Sequence, residues 1–312
     1  MNMSDYSERD DRKRFREDTI SQNKKRTKKN IDEEDKGFYY GLFIQHHHKF
    51  ADPVPGKICK RFDPPEGFEV LSNGMAGETF VSENREIVLK YFTYDTDAEK
   101  EYSMIESITR IAPQYTANPI EMYRDYEFFY RPYVIRMPNV GPTLQFERQQ
   151  VPFTELEVVF CLLQAIHFSL LLGQKVMVWD VHEENVCVSG DGPDIQVKWI
   201  DFGFWKLCSS NRKETKSILH ENVFELCLKE YWDAEGLFHE RVNVILEWMR
   251  NRLKKGGTLK STDMVVGSLI QMANRLSNLL IPRPLKGKSV LTTEYPKLLK
   301  LMNDIKGTVS SL

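Results

Sequence analysis

Two apolar rhythms run along this chain in succession. In the first half, short β-rich runs sit between polar residues. EIVLKYF (Glu86–Phe92) reads as a strand, LSNGMAGETFV (Leu71–Val81) as the hairpin turn before it, and Val134–Met137 as the end of a further strand. In the second half the period lengthens to that of a helix. FTELEVVFCLLQAIHFSLLLG (Phe153–Gly173) is the clearest case: Thr154 and Glu157 form a capping box and Gly173 a stop. It is apolar on most faces, which predicts burial, and the polar Gln164 and His167 argue against a membrane span. His167 itself reads as a satisfied core histidine. SILHENVFELCLKEYW (Ser217–Trp232), VNVILEWMRNRL (Val242–Leu253) and MVVGSLIQMANRL (Met264–Leu276) predict further helices. One helix is expected earlier, over Asp97–Ile111, where Tyr102, Ile105, Ile108 and Ile111 fall at helical spacing.

Two short apolar runs in the second half break the helical rhythm. VMVW (Val176–Trp179) and IQVKWI (Ile195–Ile200) predict buried strands, and each ends on an acid, Asp180 and Asp201. Acids at strand ends would face a cleft. Asp180 opens the segment Asp-Val-His-Glu-Glu-Asn, ending at Asn185, and Asp201 opens Asp-Phe-Gly. A carboxylate that can deprotonate a hydroxyl, followed by two hard oxygen donors, is what magnesium-dependent phosphoryl transfer from ATP requires. Upstream, Lys90 lies within an apolar strand, where an ammonium must be paired.

Together these motifs resemble the protein kinase superfamily, as a divergent serine/threonine-type member with a reduced C-terminal lobe. The resemblance implies an α+β, bilobal protein-kinase-like fold: a small antiparallel β-sheet N-lobe with one helix (about 63–137) and a mainly helical C-lobe (about 140–310). It implies ATP and Mg2+ as cofactors. Asp180 would be the catalytic base, Asn185 and Asp201 the metal ligands, and Lys90 the grip on the nucleotide phosphates. Lys90 would be held by Glu101, which suits the register better than Glu99 or Glu106. Gly74 and Gly77 match two of the three glycines of the phosphate-covering loop, and Ser72 stands where the first would be. Met137, Pro138 and Asn139 would form the hinge that receives adenine.

The sequence also departs from that family. Val178 and Trp179 replace the His-Arg that usually precedes the catalytic aspartate. Without the arginine, activity is expected not to depend on phosphorylation of Ser209, Ser210, Thr215 or Ser217. His182 replaces the usual lysine, and would steady the moving phosphoryl group by a hydrogen bond. No Ala-Pro-Glu follows Gly203. A compact helical lobe of this kind is common among divergent kinases, many of them viral. The expected activity is transfer to serine or threonine hydroxyls of a protein substrate. A pseudokinase scaffold and a small-molecule phosphotransferase are the alternatives.

Composition adds limits. With 312 residues, 41% apolar content and a net charge of −2, the chain reads as a soluble globular protein with ample core. Five scattered cysteines suggest reduced thiols in an intracellular setting, and no membrane partner is expected. Residues 1–36 are charged and poor in apolar groups, which predicts a disordered tail. Its basic clusters, Arg12-Lys13 and Lys24–Lys29, resemble a bipartite nuclear import signal, with weak nucleic-acid binding as a lesser option. An extension over 37–62 holds the aromatic run FYYGLFI (Phe38–Ile44) and His46–His48, read as a surface feature rather than a metal cluster.

Overall fold

A computed structural model of the chain describes residues 64–73, 77–126, 131–145, 153–208, 215–227, 240–254, 262–281 and 295–312. All belong to one compact unit, Arg61–Leu312. The tail, the aromatic extension, His46–His48 and Gly74 lie outside the described residues.

The fold is mixed α+β. Five strands, β1 (Phe68–Asn73), β2 (Glu78–Ser82), β3 (Ile87–Phe92), β4 (Glu121–Arg124) and β5 (Tyr133–Pro138), form an antiparallel sheet in the order β1-β2-β3-β5-β4. β3 is central and buried from Val88 to Phe92, which is why it reads as a continuous apolar run rather than an alternating one. β4 is exposed at every position, so no burial rhythm announces it in the sequence. Helix α1 (Asp95–Ile111) crosses from β3 to β4 and buries Ala98, Glu101, Met104, Ile105 and Ile108. That spacing is the stripe of an amphipathic helix, with one carboxylate inside it.

The second part is built on α2 (Glu155–Leu172). The capping box is present: Glu157 N–H donates to Thr154 Oγ1 at 3.3 Å, and Thr154 N–H to Glu157 Oε2 at 2.8 Å. Gly173 ends the helix at φ 52°. By length and composition alone α2 could cross a membrane, contrary to the sequence reading, but 83% of it is buried inside the protein. Three helices pack on it: α3 (Thr215–Cys227), α5 (Thr262–Leu280) and α6 (Pro296–Ser311), while α4 (Glu240–Lys254) packs on α5. Among the described residues this makes six α-helices. The last was not anticipated, although Leu298, Met302 and Ile305 carry its buried stripe at helical spacing.

Two small hairpin-like sheets lie in this second part. β6 (Val176–Met177) pairs with β9 (Lys206–Leu207), and β7 (Val186–Ser189) with β8 (Gln196–Trp199). The strand expected over VMVW stops at Met177, because Val178 N–H is taken by the side chain of Asn222 rather than by a neighbouring strand. An aromatic cluster of Phe168, Trp199, Phe202 and Trp205 packs beneath the hairpins; the Phe168 and Trp199 rings are 4.6 Å apart.

Candidate active site

Lys90 and Glu101 meet because β3 and α1 follow one another and share a core. Lys90 Nζ donates to both carboxylate oxygens of Glu101, at 2.7 and 2.8 Å, and pairs with Asp201 Oδ1 at 3.1 Å. Glu99 is exposed, and Glu106 pairs with Arg110 instead, at 3.6 Å. Burial opposes the charge on Lys90, but Glu101 and Asp201 outweigh it and hold its pKa above the ordinary lysine value. Burial raises the Glu101 pKa to about 7; Lys90 pulls it down and the like charge of Asp201 pushes it up. Gly203 leaves room for this group: a Cβ there would lie 3.3 Å from Glu101 Oε2.

The β7–β8 hairpin brings the remaining groups to the same end. Val186 pairs with Trp199, and one step beyond the strands Ile200 N–H donates to Asn185 O at 3.0 Å. Asn185 and Asp201 therefore lie beside one another through their backbones. Phe202 is buried against Trp205, edge to face at 4.7 Å, which fixes the triplet that carries Asp201.

The loop from Asp180 is tied to itself. Asn185 Nδ2 donates to Asp180 O at 3.0 Å and to His182 Nε2 at 2.9 Å. A carbonyl can only accept, so the amide orientation is fixed and Nε2 of His182 is an acceptor. With Nε2 occupied, Nδ1–H, 3.9 Å from Glu184, is the donor left for the role expected of His182. The Asp180 carboxylate is exposed and makes no hydrogen bond or ion pair with described residues.

No protein-family model matches the chain, and none of the curated protein sequences matches it. The residues and their geometry carry the functional argument alone.

Magnesium fits the donors at this site. The amide orientation leaves Asn185 Oδ1 free of the loop contacts, and Lys90 pairs with Asp201 through Oδ1. These are hard oxygens, the type Mg2+ selects, with phosphate and water completing its shell. Among the described residues no three His, Cys, Asp or Glu side chains cluster as an all-protein metal site.

The structure places the expected loop residues on the β1–β2 hairpin and the expected hinge at the end of β5. Ser72 lies within β1, paired with Thr79 beyond a bulge after Val70. Gly77 is buried just before β2, where a Cβ would meet Tyr91 O at 2.3 Å, so packing against β3 already demands glycine there. Met137 and Pro138 still belong to β5, paired with Val88 and Ile87. Asn139 turns back: its N–H donates to Glu86 O at 2.7 Å and its Nδ2 to Arg85 O at 2.8 Å. Its side chain thus anchors the β2–β3 turn. Ser209 and Ser210 lie outside the described residues, as do the side chains of Thr215 and Ser217.

Asn222 is the residue that the sequence reading missed. It is fully buried on α3, accepts from Val178 N–H at 2.9 Å, and donates to Val176 O at 2.8 Å and Gly173 O at 3.3 Å. It holds the segment that delivers Asp180. Its only sequence signal was an amide among the apolar positions of ILHENVFELC.

Proposed function

We propose that this chain is a protein-kinase-like phosphotransferase, moving the terminal phosphoryl group of ATP to serine or threonine hydroxyls of a protein. In this reading the sheet with α1 is a small lobe, the α2-centred part a large one, and ATP lies between them. The observation that carries it is Lys90, whose ammonium bridges Glu101 of α1 and Asp201 beyond β8. An ammonium so placed joins the two parts of the fold and points at the position where phosphates would be gripped.

Each further residue then has a task. Asp180 presents an unengaged carboxylate that orients the acceptor hydroxyl and takes its proton. Asn185 stiffens the loop through its bonds to Asp180 O and His182. Asn185 Oδ1 and the Asp201 carboxylate would hold magnesium, which supplies neutralisation of phosphate charge when bound. His182 would donate from Nδ1–H to the moving phosphoryl group. Ser72, Gly74 and Gly77 belong to the loop covering the phosphates.

Purified chain incubated with labelled ATP, magnesium and mixed protein substrates is expected to transfer label, with Asp180→Asn reduced by roughly a thousandfold or more. Equal transfer by Asp180→Asn overturns the assignment. Nucleotide binding without transfer would favour a scaffold, and label only on small acceptors would favour a small-molecule phosphotransferase. Nuclear import through Arg12–Lys29 is part of the same proposal, and a reporter carrying residues 1–36 that stays outside the nucleus would remove it.

A further inference from the structure

An open pocket of about 450 Å3 is lined by neither Lys90 nor Asp201. One wall is the connector 138–141 after β5. A second is the segment after α1, with Thr116 and Asn118. The third is the β7–β8 hairpin, with Ser189 and Lys198. The walls are joined to each other: Thr116 bridges Trp199, Thr143 bridges Cys187, and Val188 N–H donates to Pro142 O at 3.0 Å. Gly141, at φ 109°, lets the connector close on the hairpin, since a Cβ would lie 3.1 Å from both the Ser189 side chain and Val188 O. The cavity is therefore built by the backbone rather than by adjustable side chains.

Its charge is one-sided. Lys198 is half-buried, and burial lowers its pKa with no carboxylate opposing the effect. Its Nζ donates to Thr116 O at 2.9 Å, which uses one of three donors. No acidic residue lines the cavity, and Lys198 forms no ion pair with described residues. A partly desolvated ammonium without a counter-ion is unfavourable, and an anion in the cavity would relieve that cost. Ser189 and Asn118 add neutral donors beside it.

We propose that this cavity is a binding site for a small oxyanion, phosphate or carboxylate, received by the ammonium of Lys198. The pocket borders the expected hinge through Pro138 and Asn139, but the anion proposal rests on Lys198 and stands or falls without the phosphotransferase reading. The test is thermal unfolding of the full chain in inorganic phosphate, in citrate, and in sodium chloride at matched ionic strength. Phosphate or citrate is expected to raise the midpoint beyond chloride. Lys198→Gln is expected to weaken the anion response roughly tenfold in concentration, and Lys198→Arg to retain it. Ser189→Asp, which places a carboxylate inside the cavity, is expected to abolish the response while leaving the protein folded, so the test survives a poorly folding Lys198→Gln. Asp201→Asn is expected to keep it. An equal response in wild type, Lys198→Gln and Ser189→Asp overturns the proposal, as does no response to either anion. Loss in Asp201→Asn alone overturns it too, by locating the anion in the cleft.

Discussion

Asp180 and Asp201 share a backbone state that non-glycine residues rarely adopt: both are left-handed, at φ 57° and 59°. They follow the two apolar runs that contain β6 and β8, Asp180 three residues after Met177 and Asp201 two after Trp199. Asparagine and aspartate tolerate this region better than other residues with a Cβ, and glycine best.

Backbone strain at Asp180 can be separated from its chemistry. Asp180→Ala is expected to be less stable than Asp180→Gly by about 1 kcal/mol, since only alanine keeps the penalty at positive φ. Asp180→Asn is expected to unfold close to wild type while losing transfer. Chemical denaturation of the three variants reads the order, and an alanine variant as stable as the glycine one contradicts it.

The ion triad should behave as one unit. Lys90→Met leaves Glu101, 2% exposed, beside Asp201 with no cation. A loss of about 3 kcal/mol or more is expected, the cost of an uncompensated buried charge. Adding Glu101→Gln should recover part of it. A double-mutant cycle with a coupling energy near zero would show that the pair is not energetically linked.

Glu101 should impose a pH dependence on stability. Its folded pKa of about 7 lies above the unfolded value of 4.5, so the folded state holds the proton more tightly. Its contribution is fully present below pH 4.5 and is lost as pH rises through about 7. Because Asp201 is one of the groups raising that pKa, Asp201→Asn should shift the Glu101 titration to lower pH. Carboxyl carbon shifts followed by NMR would report both midpoints, and a Glu101 titration unmoved by Asp201→Asn would count against the coupling. His167 acts in the opposite direction: burial lowers its pKa, so its contribution is lost as pH falls.

Asn222 should be sensitive to changes that conserve its size. Asn222→Leu strands Val178 N–H and two carbonyls in the core, for an expected loss of about 2–4 kcal/mol. Asn222→Asp keeps the acceptor for Val178 but turns a carboxylate toward Gly173 O and Val176 O, so it should also destabilise the fold. Urea unfolding measures both, and wild-type stability in either would remove Asn222 as the anchor of the loop.

Elements whose burial rhythm is local were legible in the sequence. β3, α1, α2, α4 and α5 announce themselves because each buries a stripe or a continuous run, and the Thr154–Glu157 cap marks where α2 begins. Exposed β4 and the two-residue, exposed β9 have no such rhythm, and only their partners define them.

The sequence by itself determined the inventory of the site: a lysine inside an apolar strand, a carboxylate in the helix stripe after it, and two acids at the ends of short apolar runs. Those follow from the spacing of polar residues within apolar patterns, which is local information. The tertiary structure alone decided the partnerships. It brought Asp201 to the expected Lys90–Glu101 pair, turned His182 toward Asn185, gave Asn139 to the β2–β3 turn, and set Asn222 beneath the loop of Asp180. Apart from the His182–Asn185 contact within one loop, each of these links residues from separate elements through a hydrogen bond or ion pair. Such contacts depend on how elements pack in space, and no period along the chain records that.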